Sequence, residues 1–369
     1  MAPACVNFSG TRSSVVTFSR LGSYLPGLAL WLMFFIPASA ALLITSFVLR
    51  DWNVFSYSTV ARFIVSGIYQ RDAETSIVHH LRREVGLSRG GTFRGATATY
   101  LGNNLTMEKM FGKQDRHDKL WNSPLFLWSL TKNPHQNTGL WQFGIPTFDE
   151  YAHMITRALH TFTKELLTDP KIRVDLRIAR AHELRPDILR MLGVRFVLAD
   201  AVVDIRDFTE VERIEVRGGL PVDLFLYRLE GANVANWSPV DVRVIKDNQA
   251  LLNSLKRDEA LLRDRVFLSS DPPRRLYNLV PMQRGDLSFD RNEFRFQGAS
   301  AGWSLALLPL QFSHCWSQPG SSPNPDVHLL RANYLLTGLL FEGTVDIRYK
   351  FDFGPWRSRC RKADAEMVL

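Results

Sequence analysis

The chain has 369 residues, of which 46% are apolar and 22% charged, a composition typical of folded domains rather than disordered chains. The formal net charge of +8 is scattered among acidic residues and forms no basic helix face, so we expect no nucleic-acid partner. This charge suits either weak attraction to anionic lipid head groups or an ordinary solvated surface. The three cysteines form no CxxC pair and show no metal-ligand spacing, so we expect no metal site.

The stretch at residues 24–49 contains no charged side chain. A helix rises about 1.5 Å per residue, so this stretch is long enough to cross the ~30 Å hydrocarbon layer. Two arginines precede it, and positive charge held on the cytoplasmic side would place the rest of the chain outside. We therefore expect a single-pass protein of the cell membrane, with residues 1–21 cytoplasmic and 22–50 forming the transmembrane helix. A signal peptide cleaved after residues 38–40 (Ala-Ser-Ala) and a buried core helix remain open.

The chain after this stretch first shows helical patterns. Residues 51–87 are predicted to form interfacial and connecting helices, because aromatic side chains near the span suit the lipid head-group layer. Ile77, Leu81 and Val85 then recur every four residues, which predicts a short helix that ends at Gly86.

Helix and strand patterns alternate in the next part of the chain. A capping box that starts at Thr147 predicts a helix, and strict alternation over 171–179 predicts a half-buried strand. Residues 184–192 and 194–203 follow as a helix and a nearly continuous apolar strand. This order predicts an α/β domain over residues 88–270.

Strand patterns dominate beyond a Pro-rich break at residues 269–275. Residues 344–353 alternate cleanly, and Glu342-Gly343 predicts a hairpin turn before them. Six short strands predict an antiparallel β-sandwich over residues 271–360, with a charged tail at 361–369. The predicted fold class is thus α+β, with an N-terminal transmembrane helix, an α/β domain and a C-terminal antiparallel β-sandwich.

Cys315 and Cys360 are the candidate disulfide pair. Outside the membrane they could be bonded, and closing the loop between them would stabilise the fold by about 4 kcal/mol. Two free, buried thiols are the alternative.

A polar loop with Asp115, His117 and Asp118 is the candidate catalytic group, since a carboxylate can orient an imidazole for acid–base work. An ordinary surface loop is the alternative. No nucleophile elbow, P-loop or dinucleotide fingerprint occurs, so we expect no cofactor, and the sequence leaves open whether the chain is an enzyme.

Three tryptophans of the strand-rich region are candidate sugar-binding platforms: Trp303, Trp316 and Trp356. A flat indole ring can pack against the apolar C–H face of a pyranose. Burial of the same rings in the core of the sandwich is the alternative.

Four stretches carry a family resemblance: LWQFGIPTFDEY (140–151), LRPDILRMLGVRFVLAD (184–200), LYRLEG (226–231) and HLLRANYLLTGLLFEGTVDIRYKFDFGP (328–355). Together they resemble the extracytoplasmic part of large multi-spanning bacterial membrane proteins, the YfhO-like and related GT-C-type proteins linked to lipid-linked sugar transfer. Transferases of that type hold their catalytic acidic residue in a first exoplasmic loop that nothing in this chain matches. No catalytic residue is therefore carried over, and we expect the terminal portion of such a protein, truncated or separately encoded.

These observations favour a membrane-anchored extracytoplasmic module that binds carbohydrate or lipid-linked sugar in envelope glycan or polysaccharide assembly. A glycosyltransferase that uses a polyprenyl-phosphate sugar donor is one alternative. A structural subunit that docks on a multi-span membrane protein is the other.

Overall fold

The computed structural model describes residues 75–100, 140, 143–148, 150–151, 156–168, 178–179, 183–199, 202–216, 222–273, 278–290, 292–319, 326–351 and 358–367. The helices among them are α1 (Ser76–Val85), α2 (Arg157–Leu166), α3 (Pro186–Met191), α4 (Asn248–Arg257) and α5 (Ser358–Glu366), with a 3₁₀ helix at Glu259–Leu261. The strands are β1 (Ala96–Tyr100), β2 (Glu150–Tyr151), β3 (Ile178–Ala179), β4 (Val194–Ala199), β5 (Phe208–Val216), β6 (Val222–Leu229), β7 (Asp241–Val244), β8 (Arg265–Leu268), β9 (Arg284–Asp290), β10 (Glu293–Gln311), β11 (Trp316–Ser317), β12 (His328–Ala332) and β13 (Leu336–Phe351).

The described part of the chain is α+β and dominated by two mixed sheets, which confirms the predicted fold class at that level. Within this part, no helix combines the length and the apolar character needed to cross a membrane. The predicted transmembrane helix at 22–50 lies outside the described residues.

The helix predicted from Ile77, Leu81 and Val85 is confirmed as α1. All three side chains are buried, as the four-residue spacing requires. Thr75 is the N-cap, and its hydroxyl accepts a hydrogen bond from the Val78 backbone N–H. The amphipathic face of α1 therefore packs on the first sheet.

The first sheet is covered on both faces. Its strand order is β1-β4-β6-β5, with β1 parallel to β4 and the other neighbours antiparallel. On β4, Phe196 and Leu198 join the cluster under α1, whereas Val197 and Ala199 join the larger cluster that includes α2 and α3. Side chains alternate between the faces of a strand, so burial on both faces accounts for the nearly continuous apolar run of β4.

The helix predicted to begin at Thr147 begins instead at Arg157, so that boundary was wrong. Thr156 is the N-cap of α2, and its Oγ1 accepts a hydrogen bond from Leu159 N at 3.1 Å. Thr147 pairs with Thr97 beside β1, a contact between distant parts of the sequence. A capping box is a local signal and carries no information about such pairing.

The second sheet has the order β7-β8-β12-β13-β10-β9, and β11 pairs with the end of β13. The β7–β8 pair is parallel and the other pairs are antiparallel. The strands β7 and β8 precede residue 270, where the sequence places a domain boundary, yet they belong to the same sheet as the strands that follow it. Part of the predicted tail at 361–369 lies in α5.

Two long strands, β10 and β13, form the centre of this sheet. The hairpin predicted at Glu342-Gly343 is wrong, because β13 continues through both residues. Glu342 pairs with Trp303 of β10 and Thr344 with Ala299, so the register shifts opposite Gly343. Gly343 has a φ of +69°, and glycine adopts this left-handed conformation readily. The glycine therefore marks an irregularity within one strand and not a chain reversal.

One hydrophobic cluster joins the two sheets, with side chains from β4 and β6 on one side and from β10 and β13 on the other. Asn233, which is fully buried, crosses this junction. Its Nδ2 donates to Met191 O at the end of α3 (3.3 Å) and to Leu307 O on β10 (2.9 Å). The segment that carries Asn233 is therefore fixed between the sheets, next to the cleft described below.

Candidate functional site: a charged cleft beside Trp237

A cleft of about 330 Å³ opens beside α3. It is lined by Asp187, Arg190, Glu230, Gly231, Trp237, Glu259, Ala260 and Arg263. Helix α3, the turn after β6, the segment before β7 and the region of the 3₁₀ helix each contribute to the lining. Four separate stretches of sequence thus converge on one small and strongly polar space.

Arg190 holds one wall of the cleft in place. Its guanidinium donates to Asp187 Oδ1 and to Asp207 Oδ1, both at 2.7 Å, and to the backbone oxygen of Glu230 at 2.8 Å. Burial alone would lower the pKa of Arg190, but the hydrogen bonds to Asp207 and Asp187 outweigh it and raise the pKa above its ordinary value. Arg190 is therefore a permanently charged side chain that fixes the position of Asp187.

The turn after β6 brings the backbone close to the Arg190 side chain. Gly231 has a φ of +77°, and the nearest side-chain atom to a hypothetical Cβ there would be Arg190 Nε at 3.9 Å. Space is available, so the backbone conformation is the reason for glycine at this position. The turn places Glu230 and Gly231 on the rim of the cleft.

Glu259 is the carboxyl group whose protonation the cleft alters. Its Oε2 is shielded from solvent and has no hydrogen-bond partner among the described residues. The nearest cation, Arg185, places Nε 3.6 Å from that oxygen. Burial raises the pKa of Glu259, Arg185 opposes the shift, and the negative charges of Asp187 and Glu183 add to it. A carboxyl group with a perturbed pKa and an unused acceptor inside a cleft is a candidate for ligand binding.

Arg263 supplies the available positive charge of the cleft. Its side chain is exposed, and within the described part of the chain it forms no ion pair or hydrogen bond. The guanidinium of Arg190 is already engaged by Asp187, Asp207 and the Glu230 backbone oxygen, whereas that of Arg263 is available to bind an anionic group. A planar guanidinium suits carboxylate and phosphate oxygens because it donates two parallel hydrogen bonds.

Trp237 forms the apolar part of the lining. Its backbone oxygen accepts from Leu307 N at 2.9 Å, which fixes the residue to β10, and only 4% of its surface is exposed. Only a small part of the residue is therefore accessible to a ligand. Sequence reasoning missed Trp237, although it lies in the irregular stretch between two predicted strands, where ligand-contacting residues concentrate.

The tryptophans chosen from the sequence lie elsewhere. Trp303 is half-buried and packs against the larger hydrophobic cluster, and its backbone oxygen accepts from Val280 N at 2.9 Å. Trp316 is half-buried between the rings of Phe294 and Phe351, with centroids 4.9 and 5.0 Å away. Neither lines the cleft. The remaining candidates lie outside the described residues: Trp356, Asp115, His117 and Asp118.

The two cysteines offered as a pair by the sequence are joined by a disulfide. The Cα atoms of Cys315 and Cys360 are 5.1 Å apart, within the ordinary range for such a bond. The bond attaches α5 to the segment after β10, on a part of the fold that does not line the cleft.

The cleft residues form no recognisable metal site. Three carboxylates line the cleft, but no group of three His, Cys, Asp or Glu side chains in the described ranges is arranged to hold a metal ion. The chemistry that the lining offers is therefore hydrogen bonding by carboxylates, charge pairing by Arg263 and limited contact with Trp237. A comparison with protein-family models, with curated proteins and with solved structures finds no match to this chain.

Proposed function

We propose that this protein is a membrane-anchored extracytoplasmic module that binds a carbohydrate carrying negative charge, such as a lipid-linked sugar, in the assembly of envelope glycan or polysaccharide. The observation that carries the proposal is the combination, in one cleft, of the Glu259 carboxyl group, of Arg263, which has no ion pair among the described residues, and of Trp237. Sugar hydroxyls donate to carboxylates, and phosphate or sugar-acid oxygens pair with a guanidinium.

The membrane part of the proposal rests on the sequence. The uncharged stretch at residues 24–49 supports a single span, and the resemblance to YfhO-like and GT-C-type proteins supports an extracytoplasmic position for the rest. A transmembrane helix followed by an α/β domain and a β-sandwich belongs to the same proposal. A reporter fused to the C-terminus should be active outside the cytoplasm, and activity in the cytosol would contradict this topology.

Binding is tested by calorimetric titration of the full chain in detergent. The probes are a short-chain polyprenyl-phosphate sugar and the same sugar without phosphate. We expect the phosphorylated probe to bind more tightly, and we expect Arg263→Gln or Glu259→Gln to weaken that binding about 10- to 100-fold, as for the loss of a charged hydrogen bond.

A matched control is Arg284→Gln. Arg284 is an exposed arginine on β9 that pairs with Asp286 and does not line the cleft. This variant should bind as the wild type does. Equal binding by all of these variants, or no binding of either probe, would contradict the proposal.

A glycosyltransferase is the second candidate, favoured by two carboxyl groups of the cleft that stand in different environments. Asp187 accepts a hydrogen bond from Arg190, whereas burial raises the pKa of Glu259. Such a difference suits separate acid and base roles. Under this alternative the purified chain transfers sugar from the polyprenyl-phosphate donor, and Glu259→Gln abolishes the transfer. Alanine at Asp115, His117 and Asp118 tests the loop chosen from the sequence in the same assay.

A further inference from the structure

Helix α5 is attached to the rest of the protein without a hydrophobic face. None of its residues from 359 to 366 is buried, and most of them are charged or small. Burial of apolar surface is the usual reason for a terminal helix to stay docked. The attachment of α5 therefore depends on specific bonds, three of which join it to described residues of the rest of the protein.

The first bond is the disulfide between Cys360, in the first turn of α5, and Cys315. Cys315 is 4% exposed, whereas Cys360 is half-buried. The more accessible of the two cysteines thus belongs to the helix. The second attachment is Asp364, whose carboxylate accepts from Ser313 Oγ, from His314 N at 2.7 Å and from His314 Nδ1 at 2.8 Å.

The third attachment lies at the C-terminal end of α5. The backbone oxygen of Met367 accepts from Asn248 Nδ2 at 2.8 Å and from Arg331 Nη1 at 2.9 Å. Two donors from different elements, α4 and β12, therefore converge on one oxygen. The C-terminal end of a helix carries partial negative charge, so α5 offers a weak counter-charge to the guanidinium.

Arg331 is unusual because it is a buried cation without a carboxylate. It is 6% exposed, and it donates to Tyr334 O at 2.6 Å and to Asn248 Oδ1 at 3.2 Å. Among the described residues, its Nη2 has no hydrogen-bond partner and no carboxylate lies within ion-pair distance of the guanidinium. Burial lowers the pKa of Arg331, and Tyr334, whose ring centroid is 4.6 Å away, opposes this shift.

We propose that α5 is a removable cover, locked by the Cys315–Cys360 disulfide, and that its release opens an oxyanion-binding site formed by Arg331 and Asn248. Without α5, Arg331 Nη1 and Asn248 Nδ2 lose their shared acceptor, and Arg331 Nη2 remains unpaired. A carboxylate or phosphate oxygen replaces the Met367 carbonyl and adds the full negative charge that this carbonyl lacks. Bound anion and docked α5 therefore exclude each other.

The release is a thiol–disulfide exchange with a dithiol. One thiolate of the dithiol attacks Sγ of Cys360, the more accessible cysteine, and Cys315 leaves as a thiolate that takes up a proton. The second thiolate of the dithiol then displaces Cys360 from the mixed disulfide, and Cys360 takes up a proton in turn. The dithiol is oxidised to a disulfide by two electrons, and both cysteines end as thiols.

The cover is tested on the full chain in detergent by hydrogen exchange, with and without dithiothreitol. The amides of residues 358–367 should exchange at least about tenfold faster after reduction, because none of the residues 359–366 is buried against the rest of the protein. Cys360→Ser should show the same faster exchange without reductant. Unchanged protection of α5 in the reduced wild type would overturn the proposal, and this measurement needs no variant.

The site is tested by titration with inorganic phosphate. Phosphate should bind to the reduced wild type and to Cys360→Ser, and it should bind the oxidised wild type at least about tenfold more weakly. Adding Arg331→Gln to Cys360→Ser should abolish this binding, whereas adding Arg359→Gln, an exposed arginine on α5, should preserve it. Phosphate binding that is unchanged both by reduction of the disulfide and by Arg331→Gln would contradict the proposed site.

Discussion

Replacing Asn233 by alanine tests how the fold fixes the cleft. The Asn233 side chain is fully buried and makes three hydrogen bonds, two from Nδ2 and one from Ala235 N to its Oδ1 at 3.0 Å. The alanine variant leaves Met191 O, Leu307 O and Ala235 N without these partners. A buried polar group that loses its partner costs about 1–3 kcal/mol, so we expect a loss of about 3–5 kcal/mol. Since whole domains are stable by about 5–15 kcal/mol, the effect is large.

The assay is unfolding of the protein in urea, followed by tryptophan fluorescence. Asn236→Ala is the matched control. Asn236 is three residues further along the same segment, is exposed, and accepts a hydrogen bond from Val234 N at 3.1 Å. Water can replace that bond, so its loss should change stability by less than about 1 kcal/mol. If Asn233→Ala is no less stable than Asn236→Ala, the role given to this side chain is refuted.

Three further predictions concern charge and covalent structure. The folded state raises the pKa of Glu259, so the ionised carboxylate opposes folding. Glu259→Gln should therefore increase the free energy of unfolding at pH 7. Unfolding measured as a function of pH should show this increase disappear below the ordinary carboxyl pKa. Arg265 lowers the pKa of Asp241, and together with Arg257, whose effect is larger, it lowers the pKa of Asp258. Arg265→Gln should therefore lower the thermal midpoint at pH 7. The difference between variant and wild type should shrink as acid protonates both carboxylates. Cys360→Ser removes a crosslink with a sequence separation of 45 residues and should cost about 4 kcal/mol in urea unfolding. A destabilised Glu259→Gln variant, a stabilised Arg265→Gln variant, or an unchanged unfolding curve for Cys360→Ser would contradict these assignments.

Features with a strong local period could be predicted from the sequence. The four-residue spacing of Ile77, Leu81 and Val85 gave α1 and its buried face, and the alternation at 344–353 identified the end of β13. In both cases the periodicity of the side chains equals that of the element, so no distant contact is needed to interpret it.

Features set by distant contacts could not be predicted. The pairing of Thr147 with Thr97 overrides a plausible capping box, and the register shift opposite Gly343 replaces a plausible hairpin. Addition of β7 and β8 to the second sheet likewise depends on partners more than 60 residues away, such as the pairing of Leu268 with Ala332. Local chemistry is the same in either arrangement, so only the tertiary pairing decides.

The candidate site depends even more on contacts between distant parts of the sequence. Its lining residues span from Asp187 to Arg263 in the sequence and come together only because Asn233 and Arg190 join separate elements. Trp237 carries no local pattern that separates it from Trp303 or Trp316. Aromatic composition could therefore suggest sugar binding but not which tryptophan lies in a cleft.

The most direct test of the proposed function is to locate the ligand. Hydrogen exchange of the full chain in detergent should be measured with and without the short-chain polyprenyl-phosphate sugar. We predict that protection increases in residues 230–237 and 259–263, the segments that line the cleft, and that this protection is lost in Arg263→Gln. Protection confined to the segments around Trp303 and Trp316, with no change at the cleft, would contradict the account.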